Sequence, residues 1–282
     1  MINLTIKEVL IYCINELKKE NIEEPILKAK ILVSYALKQT KEYLMINETE
    51  KVREGIFDKI KKDVNKLTKG VPLQYIINNQ EFMGLNFFVN EDVLIPQPDT
   101  EILVEETMNL SKQIKANKLL DLCTGSGAIA ISIAKNAQIA SIVATDISKP
   151  ALEVAKKNCK KNGVENIKLL QSDLFENINE KFDIIVSNPP YIKTKVIDTL
   201  SPEVRNEPHM ALDGGQDGLE FYKKIINEAY KYLEKSGYLC LEIGYDQKEA
   251  VIELVKLSKK YNKIYSKKDL SGNDRIIVCQ KE

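Results

Sequence analysis

In the first seventy residues the apolar positions recur three or four residues apart, which is the spacing of one face of a helix. Thr5 followed by Glu8 is a capping box, which satisfies free N–H groups at a helix start. A second helix is predicted from Pro25, and a third over about 51–67 with Gly70 as its stop. The positions predicted to be buried are Ile6, Val9, Leu10, Cys13, Ile14 and Leu17, then Ile26, Ala29, Leu32, Val33 and Ala36, then Val52, Ile56, Ile60, Val64 and Leu67. The pattern predicts a helical bundle over residues 1–70.

The next stretch, residues 71–98, has a different pattern. In QEFMGLNFFVN (80–90), two short apolar and aromatic runs flank Met83 and Gly84. Two such runs around a glycine-containing turn predict a β-hairpin. We interpret residues 71–98 as a β-hairpin linker between two domains.

From residue 99 to residue 282, strand-like and helix-like patterns alternate, with helices predicted for example over 150–161 and 218–233. The predicted strands are KLLDL (118–122), SIVAT (141–145), IKLLQ (167–171), FDIIVS (182–187), YLCLEI (238–243), KIYSK (263–267) and RIIVCQ (275–280). This alternation predicts an α/β, Rossmann-like domain with a mostly parallel seven-stranded sheet and helices on both faces. The last two strands have only a short connection, which predicts an antiparallel hairpin.

Composition narrows the class of protein. Lys plus Arg and Asp plus Glu are equal at 41 each, whereas a dedicated duplex-DNA binder usually carries a basic excess. No C-x-x-C pair is present, so we expect reduced thiols and no metal site. No secretory signal and no apolar run long enough for a bilayer are visible, and we expect a cytoplasmic protein. The cysteines are Cys13, Cys123, Cys159, Cys240 and Cys279.

A glycine-rich turn follows the first predicted strand. Asp121 closes that strand, and Gly125 and Gly127 form the turn before a helix. Glycines let the backbone approach a ligand closely, and the free N–H groups of a helix start face it. Asp146 ends the next strand, nineteen residues after Gly127, where an acidic residue is expected to bind ribose hydroxyls. Alternatively, the glycines of this turn bind no ligand and serve only to let the helix pack closely on the sheet.

Two details favour S-adenosylmethionine over a dinucleotide. The loop has the form D-x-C-T-G-S-G, not G-x-G-x-x-G, and Asp173 follows the third strand, where it can accept a hydrogen bond from adenine. Carboxylates at three successive strand ends suit a ligand with a cationic end and would repel phosphates. The predicted cofactor-binding residues are Asp121, Cys123, Thr124, Gly125, Ser126, Gly127, Asp146, Asp173, Leu174 and Asn188.

The fourth strand ends in SNPPYI, and its two prolines stop the strand because they lack a backbone N–H. Asn188 offers a side-chain carbonyl acceptor and Pro189 a backbone carbonyl, while Pro190 has no N–H to compete. Tyr191 can pack its ring against a planar amide. We interpret this motif as a rigid clamp for a planar NH₂ group, with Asn188, Pro189 and Tyr191 catalytic. Pro190 joins these three as a substrate-binding residue.

Together with the cofactor loop, the clamp resembles the class I methyltransferases that act on a planar nitrogen. The chain is most similar to the HemK family of peptide chain release factor glutamine methyltransferases, over essentially its whole length. The motifs that carry this resemblance are VLIPQPDTEILVE (93–105), DLCTGSGAIA (121–130), QSDLF (171–175), SNPPYI (187–192) and ALDGGQDGLEFY (211–222), in the family's order.

The resemblance implies methyl transfer from S-adenosylmethionine to the glutamine N5 of the Gly-Gly-Gln motif in bacterial-type class 1 release factors. We also expect a monomer without stable nucleic-acid binding. Because domain 1–70 shows no catalytic-looking cluster of polar residues, we interpret it as the domain that docks the substrate. Three positions depart from the family: Gln97 stands where arginine is common, Cys123 where glycine is common, and His209 where arginine is frequent. The change at Gln97 removes a positive charge, and we expect little effect from Cys123.

Two other hypotheses stay open at this point. Because the clamp fits any planar NH₂ group, the protein can be an N6-adenine or guanine-amino nucleic-acid methyltransferase, which on a duplex requires base flipping. It can also be a cofactor-binding protein without catalysis, although the intact Asn188 and Tyr191 argue against that.

Overall fold

The structure is a computed structural model, and it describes residues 4–282. The helices are α1 (Ile6–Lys19), α2 (Pro25–Leu37), α3 (Lys41–Ile46), α4 (Glu54–Thr68), α5 (Leu73–Ile77), α6 (Glu101–Ile114), α7 (Ala128–Asn136), α8 (Lys149–Asn162), α9 (Thr194–Ile197), α10 (Pro202–Arg205), α11 (His209–Leu212), α12 (Glu220–Tyr232) and α13 (Lys248–Ser258). The strands are β1 (Gln80–Phe82), β2 (Leu85–Phe87), β3 (Lys118–Leu122), β4 (Ser141–Asp146), β5 (Ile167–Gln171), β6 (Phe182–Ser187), β7 (Leu233–Glu242), β8 (Tyr261–Lys268) and β9 (Asp274–Lys281).

The chain forms two compact units. One runs to Asn78 and also includes Ser201–Asn206; the other contains Asn79–Leu200 and Glu207–Glu282. The first unit therefore extends beyond the predicted boundary at residue 70, because α5 belongs to it.

The first unit is a helical bundle, as the spacing predicts. The capping box is present: the Glu8 amide donates to the Thr5 hydroxyl at 3.2 Å, and the Thr5 amide donates to Glu8 at 2.7 Å. Two details of the prediction are wrong. Ile26 is 51% exposed, because the buried stripe of α2 begins one turn later, at Ala29. Val52 is buried but precedes α4, with its amide bonded to the Leu4 carbonyl at 2.8 Å.

The predicted hairpin is confirmed as β1 and β2, with both turn residues at positive φ, Met83 at 51° and Gly84 at 70°. This turn geometry matches the right-handed twist of the flanking strands. The hairpin is not a free linker, because Phe82 and Phe87 are buried in the core of the second unit. The Asn158 side chain also holds the Phe88 backbone, accepting from its amide at 2.7 Å and donating to its carbonyl at 2.9 Å.

The second unit contains the predicted seven-stranded sheet, in the order β5-β4-β3-β6-β7-β9-β8. The first five strands in that order are parallel, and β9 pairs antiparallel with both β7 and β8. Side chains alternate between two buried clusters: Leu119 faces one that includes α6 and α7, while Leu120 faces one that includes α12 and α13. Helices therefore cover both faces, and the carboxyl ends of the parallel strands share one edge.

Candidate active site

A cavity of about 210 Å³ lies within the second unit, beyond the carboxyl ends of the parallel strands. Strand-end loops supply part of its wall, and residues preceding α6 and around α11 and α12 supply the rest. Its lining residues are Asp92, Val93, Leu94, Cys123, Gly125, Asp146, Ile147, Ser148, Ala151, Ser172, Asp173, Leu174, Asn188, Pro190, Pro208, Met210, Ala211, Phe221 and Lys224. The cavity occupies the position where open parallel sheets bind ligands.

Asp146 fixes the glycine loop from the neighbouring strand. Its Oδ2 accepts from the Gly125 amide at 2.8 Å, and its Oδ1 accepts from the Ser148 amide at 2.9 Å. Burial raises the pKa of the Asp146 carboxyl, while these amides oppose the shift. A Cβ atom on Gly125 would meet no heavy atom within 4 Å, so the space above the loop is open to a ligand.

Asp121 and Gly127 support the loop from beneath, and neither lines the cavity. Asp121 is fully buried, accepts from the Thr124 hydroxyl at 2.6 Å, and has its pKa raised to about 7 by burial. Gly127 adopts φ 81°, and a Cβ atom there would lie 3.0 Å from Ile131 and 3.2 Å from Ala155. Thr124 and Ser126 instead line a second hollow of about 50 Å³, which shares Asn188 with the larger cavity.

The loop after β5 brings the third predicted acidic residue to the cavity wall. Asp173 is exposed there, and the following Leu174 is buried at φ 47°. The Ser172 hydroxyl donates to the Leu174 carbonyl at 2.9 Å, which stabilises the turn. Asp146, Asp173 and Leu174 are thus brought together.

The SNPPYI motif follows β6 at the same edge, and its residues point in two directions. Asn188 and Pro190 line the cavity, whereas the buried Pro189 is not among its lining residues. The Asn188 Nδ2 donates to the Thr100 hydroxyl at 3.4 Å. Tyr191 packs against the core cluster of α12 and α13, and its hydroxyl donates to Glu242 at 3.4 Å. The Tyr191 side chain is only partly buried in that cluster, and its predicted packing against a substrate amide stays a prediction.

A second loop, residues 211–219, packs tightly against the clamp. The Ile192 amide donates to the Leu212 carbonyl at 2.9 Å, and the Gly214 amide donates to the Ile192 carbonyl at 2.8 Å. A Cβ atom on Gly214 would lie 2.7 Å from the Tyr191 Cα, and one on Gly218 would lie 2.6 Å from the Tyr191 carbonyl oxygen. The glycines of the ALDGGQDGL motif permit this close approach of two backbones.

Sequence reasoning missed Gln247, which joins three segments around the clamp. Its buried side chain donates to the Tyr191 carbonyl at 2.9 Å and to the Gly218 carbonyl at 3.1 Å. It also accepts from the Gly244 amide at 2.9 Å. The Tyr222 hydroxyl lies 3.4 Å from the same oxygen, but its single hydrogen has a nearer acceptor in the Glu242 carbonyl at 2.9 Å. Both N–H donors of the amide are thereby used. No local sequence signal marks this residue, because each partner is distant along the chain or on a loop.

Sequence reasoning also missed Glu242, at the end of β7. This residue is 2% exposed, and burial raises the pKa of its carboxyl to about 7, an effect that Thr100, Arg275 and Tyr191 oppose. The Arg275 guanidinium bonds Asp99 at 3.0 Å and Asp269 at 2.9 Å. The positive charge of Arg275, on β9, therefore pairs with Asp99. Asp99 lies in the segment where this sequence has Gln97 in place of the arginine that is common in the family.

The three departures from the family have distinct positions. The Gln97 side chain donates to the Ile95 carbonyl at 3.0 Å and lines only the smaller hollow. Cys123 adopts φ 59°, a backbone conformation that favours glycine, and burial raises the pKa of its thiol. The His209 imidazole is exposed, 3.9 Å from the Asp213 carboxylate.

Two features are absent from the described part of the chain. Residues 4–282 contain no cluster of histidine, cysteine and acidic side chains suited to a metal ion. Within the same range, no helix combines the length and apolar character needed to cross a membrane.

Known structures share this fold. The chain is similar to the hMettl16 catalytic domain in complex with the MAT2A 3′UTR hairpin 6, at 17% identity and a TM-score of 0.59, over 80% of this chain and 82% of that one. It is also similar to a methyltransferase from Pyrococcus furiosus, at 20% identity and a TM-score of 0.53, over 70% and 89% of the two chains. Residues 97–215 match the family model described as methyltransferase small domain. Fold and site therefore define a class I, S-adenosylmethionine-dependent methyltransferase.

Residues 8–77 match the PrmC N-terminal domain model. A release factor glutamine methyltransferase from Thermodesulfovibrio yellowstonii is 42% identical over 260 residues, covering 91% of this chain and 92% of that one. One from Clostridium acetobutylicum is 38% identical over 281 residues, covering 98% of each. The chain belongs to the release factor glutamine methyltransferase family.

Proposed function

We propose that this protein transfers the methyl group of S-adenosylmethionine to the side-chain nitrogen of the glutamine in the Gly-Gly-Gln motif of peptide chain release factors. The observation that carries the proposal is the convergence of Asn188 and Pro190 with Asp146 and Asp173 on one cavity. A clamp for an NH₂ group thus lies beside carboxylates suited to a nucleoside with a cationic end.

The residues present fit this cofactor. The open space above Gly125 admits a ligand close to the backbone, and carboxylate oxygens of Asp146 are available to ribose hydroxyls. We propose that Asp173 and Leu174, which line the same cavity, contact the adenine ring. Bound there, S-adenosylmethionine supplies a methyl group on a positively charged sulfur, so no strong base is needed to start the transfer.

The chain's own contribution is to hold the acceptor nitrogen. A glutamine amide is a poor nucleophile because its nitrogen lone pair is delocalised into the carbonyl. The Asn188 Nδ2 is engaged with Thr100, which leaves its Oδ1 to accept a substrate N–H. We propose the Pro189 carbonyl as the second acceptor and Tyr191 as a support of the clamp. Holding the reacting groups in a fixed orientation can lower a reaction barrier by roughly 7–11 kcal/mol.

We also propose that the helical unit docks the release factor, and that the protein acts as a monomer in the cytoplasm without stable nucleic-acid binding. The docking role is supported by exposed apolar side chains on α3, where Met45 is 63% and Ile46 is 81% exposed. Replacing both with aspartate is expected to raise KM for the intact factor several-fold while leaving kcat unchanged. The matched control is Leu257→Asp, at a 68% exposed position of the second unit. An unchanged KM in the double variant would contradict the docking role.

The test of the main proposal is a methyl-transfer assay with labelled S-adenosylmethionine. A purified release factor, its Gly-Gly-Ala loop variant, DNA and RNA are offered in parallel. Label on the wild-type factor alone is the expected result. Label on nucleic acid alone would mean that the clamp holds a base and would overturn the proposal.

A further inference from the structure

We propose that Asp99 and Arg275 are positioning residues, which fix the turn that carries Thr100 and, through Thr100, the side-chain amide of Asn188. The turn comprises Pro98–Thr100 and directly precedes α6. The inference rests on the proposed function, because it assigns a cause to the direction in which the clamp presents its acceptor oxygen.

The first observation is the contact between Thr100 and the clamp. The Thr100 side chain is only 5% exposed, and its hydroxyl oxygen accepts from the Asn188 Nδ2 at 3.4 Å. Because this contact engages the NH₂ end of the amide, the Asn188 Oδ1 is left to face the cavity that Asn188 lines. A hydrogen bond of this length is near its limit, so a small displacement of Thr100 would break it.

The second observation is that the residues on either side of Thr100 are anchored to distant strands. Glu101, the first residue of α6, accepts from the Met83 amide of the hairpin turn at 2.7 Å. On the other side, the Asp99 Oδ2 meets the Arg275 Nη2 at 3.0 Å. Thr100 lies between these two anchored residues, so its position depends on both.

Arg275 is itself held firmly in β9. Its carbonyl accepts from the Ile243 amide at 2.8 Å, which ties it to the neighbouring strand end. Its Nε and Nη2 donate to the Asp269 Oδ2 at 3.1 and 2.9 Å, and both residues are buried. The Asp269 Oδ1 accepts from the Asn273 amide at 2.9 Å. A guanidinium fixed in this way has little freedom left, so it gives Asp99 a rigid partner.

The exposure of Asp99 makes its positioning role separable from folding. Its side chain is 47% exposed, whereas that of Arg275 is 11% exposed. Ion pairs with a partner in solvent contribute little to the stability of the fold. Removal of the Asp99 carboxylate should therefore release the turn without unfolding the protein. Removal of Arg275 would in addition leave the buried Asp269 without its cation.

The decisive variant is Asp99→Ala, which deletes the carboxylate that Arg275 holds. We expect kcat to fall roughly 5- to 10-fold, as for the loss of a hydrogen bond to a charged group. Affinity for S-adenosylmethionine should stay within about twofold. The unfolding temperature should stay within about 2 °C of the wild type. Asp99→Glu keeps the charge, has room in solvent for its extra methylene group, and is expected to retain most activity.

Glu180→Ala is the matched control. Its carboxylate is 35% exposed and bonds the Lys118 Nζ at 2.8 Å, so the variant also deletes one half of a partly exposed ion pair. Neither residue lines the cavity. This variant should leave kcat unchanged.

Arg275→Lys tests the other half of the pair. A lysine keeps a positive charge beside the buried Asp269, but its single ammonium group cannot reproduce the fork that bonds Asp269 and Asp99 together. We expect kcat to fall as in Asp99→Ala, and the two losses should not add in the double variant. Full additivity would mean that the two side chains act separately and would overturn the inference.

A measurement without turnover separates this inference from the proposed function. The side-chain NH₂ signals of Asn188 in ¹⁵N-labelled protein are identified by their loss in Asn188→Asp. They should shift in Asp99→Ala and in Arg275→Lys, and not in Glu180→Ala. Failure of the proposed function would instead appear in the wild type, as absence of label on the release factor.

Two results with Asp99→Ala would overturn the inference. One is wild-type kcat or unchanged Asn188 signals. The other is a fall in kcat accompanied by weaker cofactor binding and a lower unfolding temperature, which would mean that Asp99 serves the fold as a whole.

Discussion

The two sides of the cavity are built in different ways. On the cofactor side, the carboxylate supports come from the same strand-end loop or a neighbouring one: Thr124 bonds Asp121, and Asp146 bonds the Gly125 amide. On the clamp side, the supports come from distant parts of the chain. They are Thr100, Gly214, Gly218, Glu242 and Gln247.

This difference separates two properties of the enzyme. Damage to the cofactor side should weaken cofactor binding and leave the clamp in place. Damage to the clamp supports should slow methyl transfer and leave cofactor binding intact. Substitutions on the two sides test that separation, beginning with those expected to cost most activity.

Gly214→Ala should cause the largest loss. Its new Cβ atom would lie 2.7 Å from the Tyr191 Cα, so the clamp backbone must move. A displacement of about 1 Å can cost on the order of 10²-fold in kcat. Steady-state kinetics with the release factor measures this effect. Gly237→Ala is the matched control, because its Cβ atom would lie 2.8 Å from the Asp183 carbonyl, outside the cavity lining. An equal loss of kcat in both variants would contradict a specific role of Gly214.

Gln247→Met should lower kcat roughly 10-fold, because it leaves the Tyr191 and Gly218 carbonyls without donors. Gln280→Met is the control, since Gln280 is also buried and donates to the Ser236 carbonyl at 2.7 Å, outside the cavity lining. Thermal unfolding measures how far each of the two substitutions lowers the unfolding temperature, so that a loss of stability can be told from a loss of kcat. If Gln247→Met keeps wild-type kcat, the clamp does not depend on this residue.

Asp146→Asn should act on the cofactor side alone. Loss of its charge is expected to weaken S-adenosylmethionine binding roughly 10-fold, with a smaller change in kcat at saturating cofactor. Titration calorimetry measures the dissociation constant, and Asp92→Asn, another acidic residue of the cavity wall, serves as the comparison. A fall in kcat at saturation without a change in affinity would contradict the separation of the two sides.

Glu207→Gln should change stability more than activity. Burial raises the pKa of Glu207 to about 7 in the folded protein, whereas its ordinary value is near 4.5. Between these two pH values the carboxyl is protonated in the folded protein and ionised in the unfolded chain. Stability from this group is therefore present at low pH and is lost as the pH rises through that window. The full shift corresponds to on the order of 3 kcal/mol. The amide can still accept from the Ile95 amide, so the variant should be more stable than the wild type at pH 8. Denaturant unfolding at pH 5 and pH 8 measures this, and an equal pH dependence in both proteins would contradict it.

The sequence predicted the sheet well because its signals are local. Strand bounds at 118–122, 167–171 and 182–187 are those of the structure, and each ends in loop residues that sequence patterns mark. The placement of Asp121 beneath the loop was not predictable, because burial of a carboxylate depends on packing from other elements. The same holds for Tyr191, whose hydroxyl donates to Glu242, fifty-one residues away.

The clamp supports from distant parts of the chain leave no pattern in the sequence, because they also depend on packing between separate elements. The glycines of ALDGGQDGL were visible as a motif, but their purpose depends on a contact with Tyr191 that only the fold creates. The sequence predicts the hairpin from Met83 and Gly84, but not its contacts with distant residues of the second unit, such as Asn158 in α8.

The most direct test of the account is mass spectrometry of a release factor after incubation with S-adenosylmethionine and either the wild type or Asn188→Ala. We expect one added methyl group on the glutamine of the Gly-Gly-Gln loop with the wild type and almost none with the variant. Methylation of a different residue, or full methylation of that glutamine by Asn188→Ala, would contradict the assignment of the clamp.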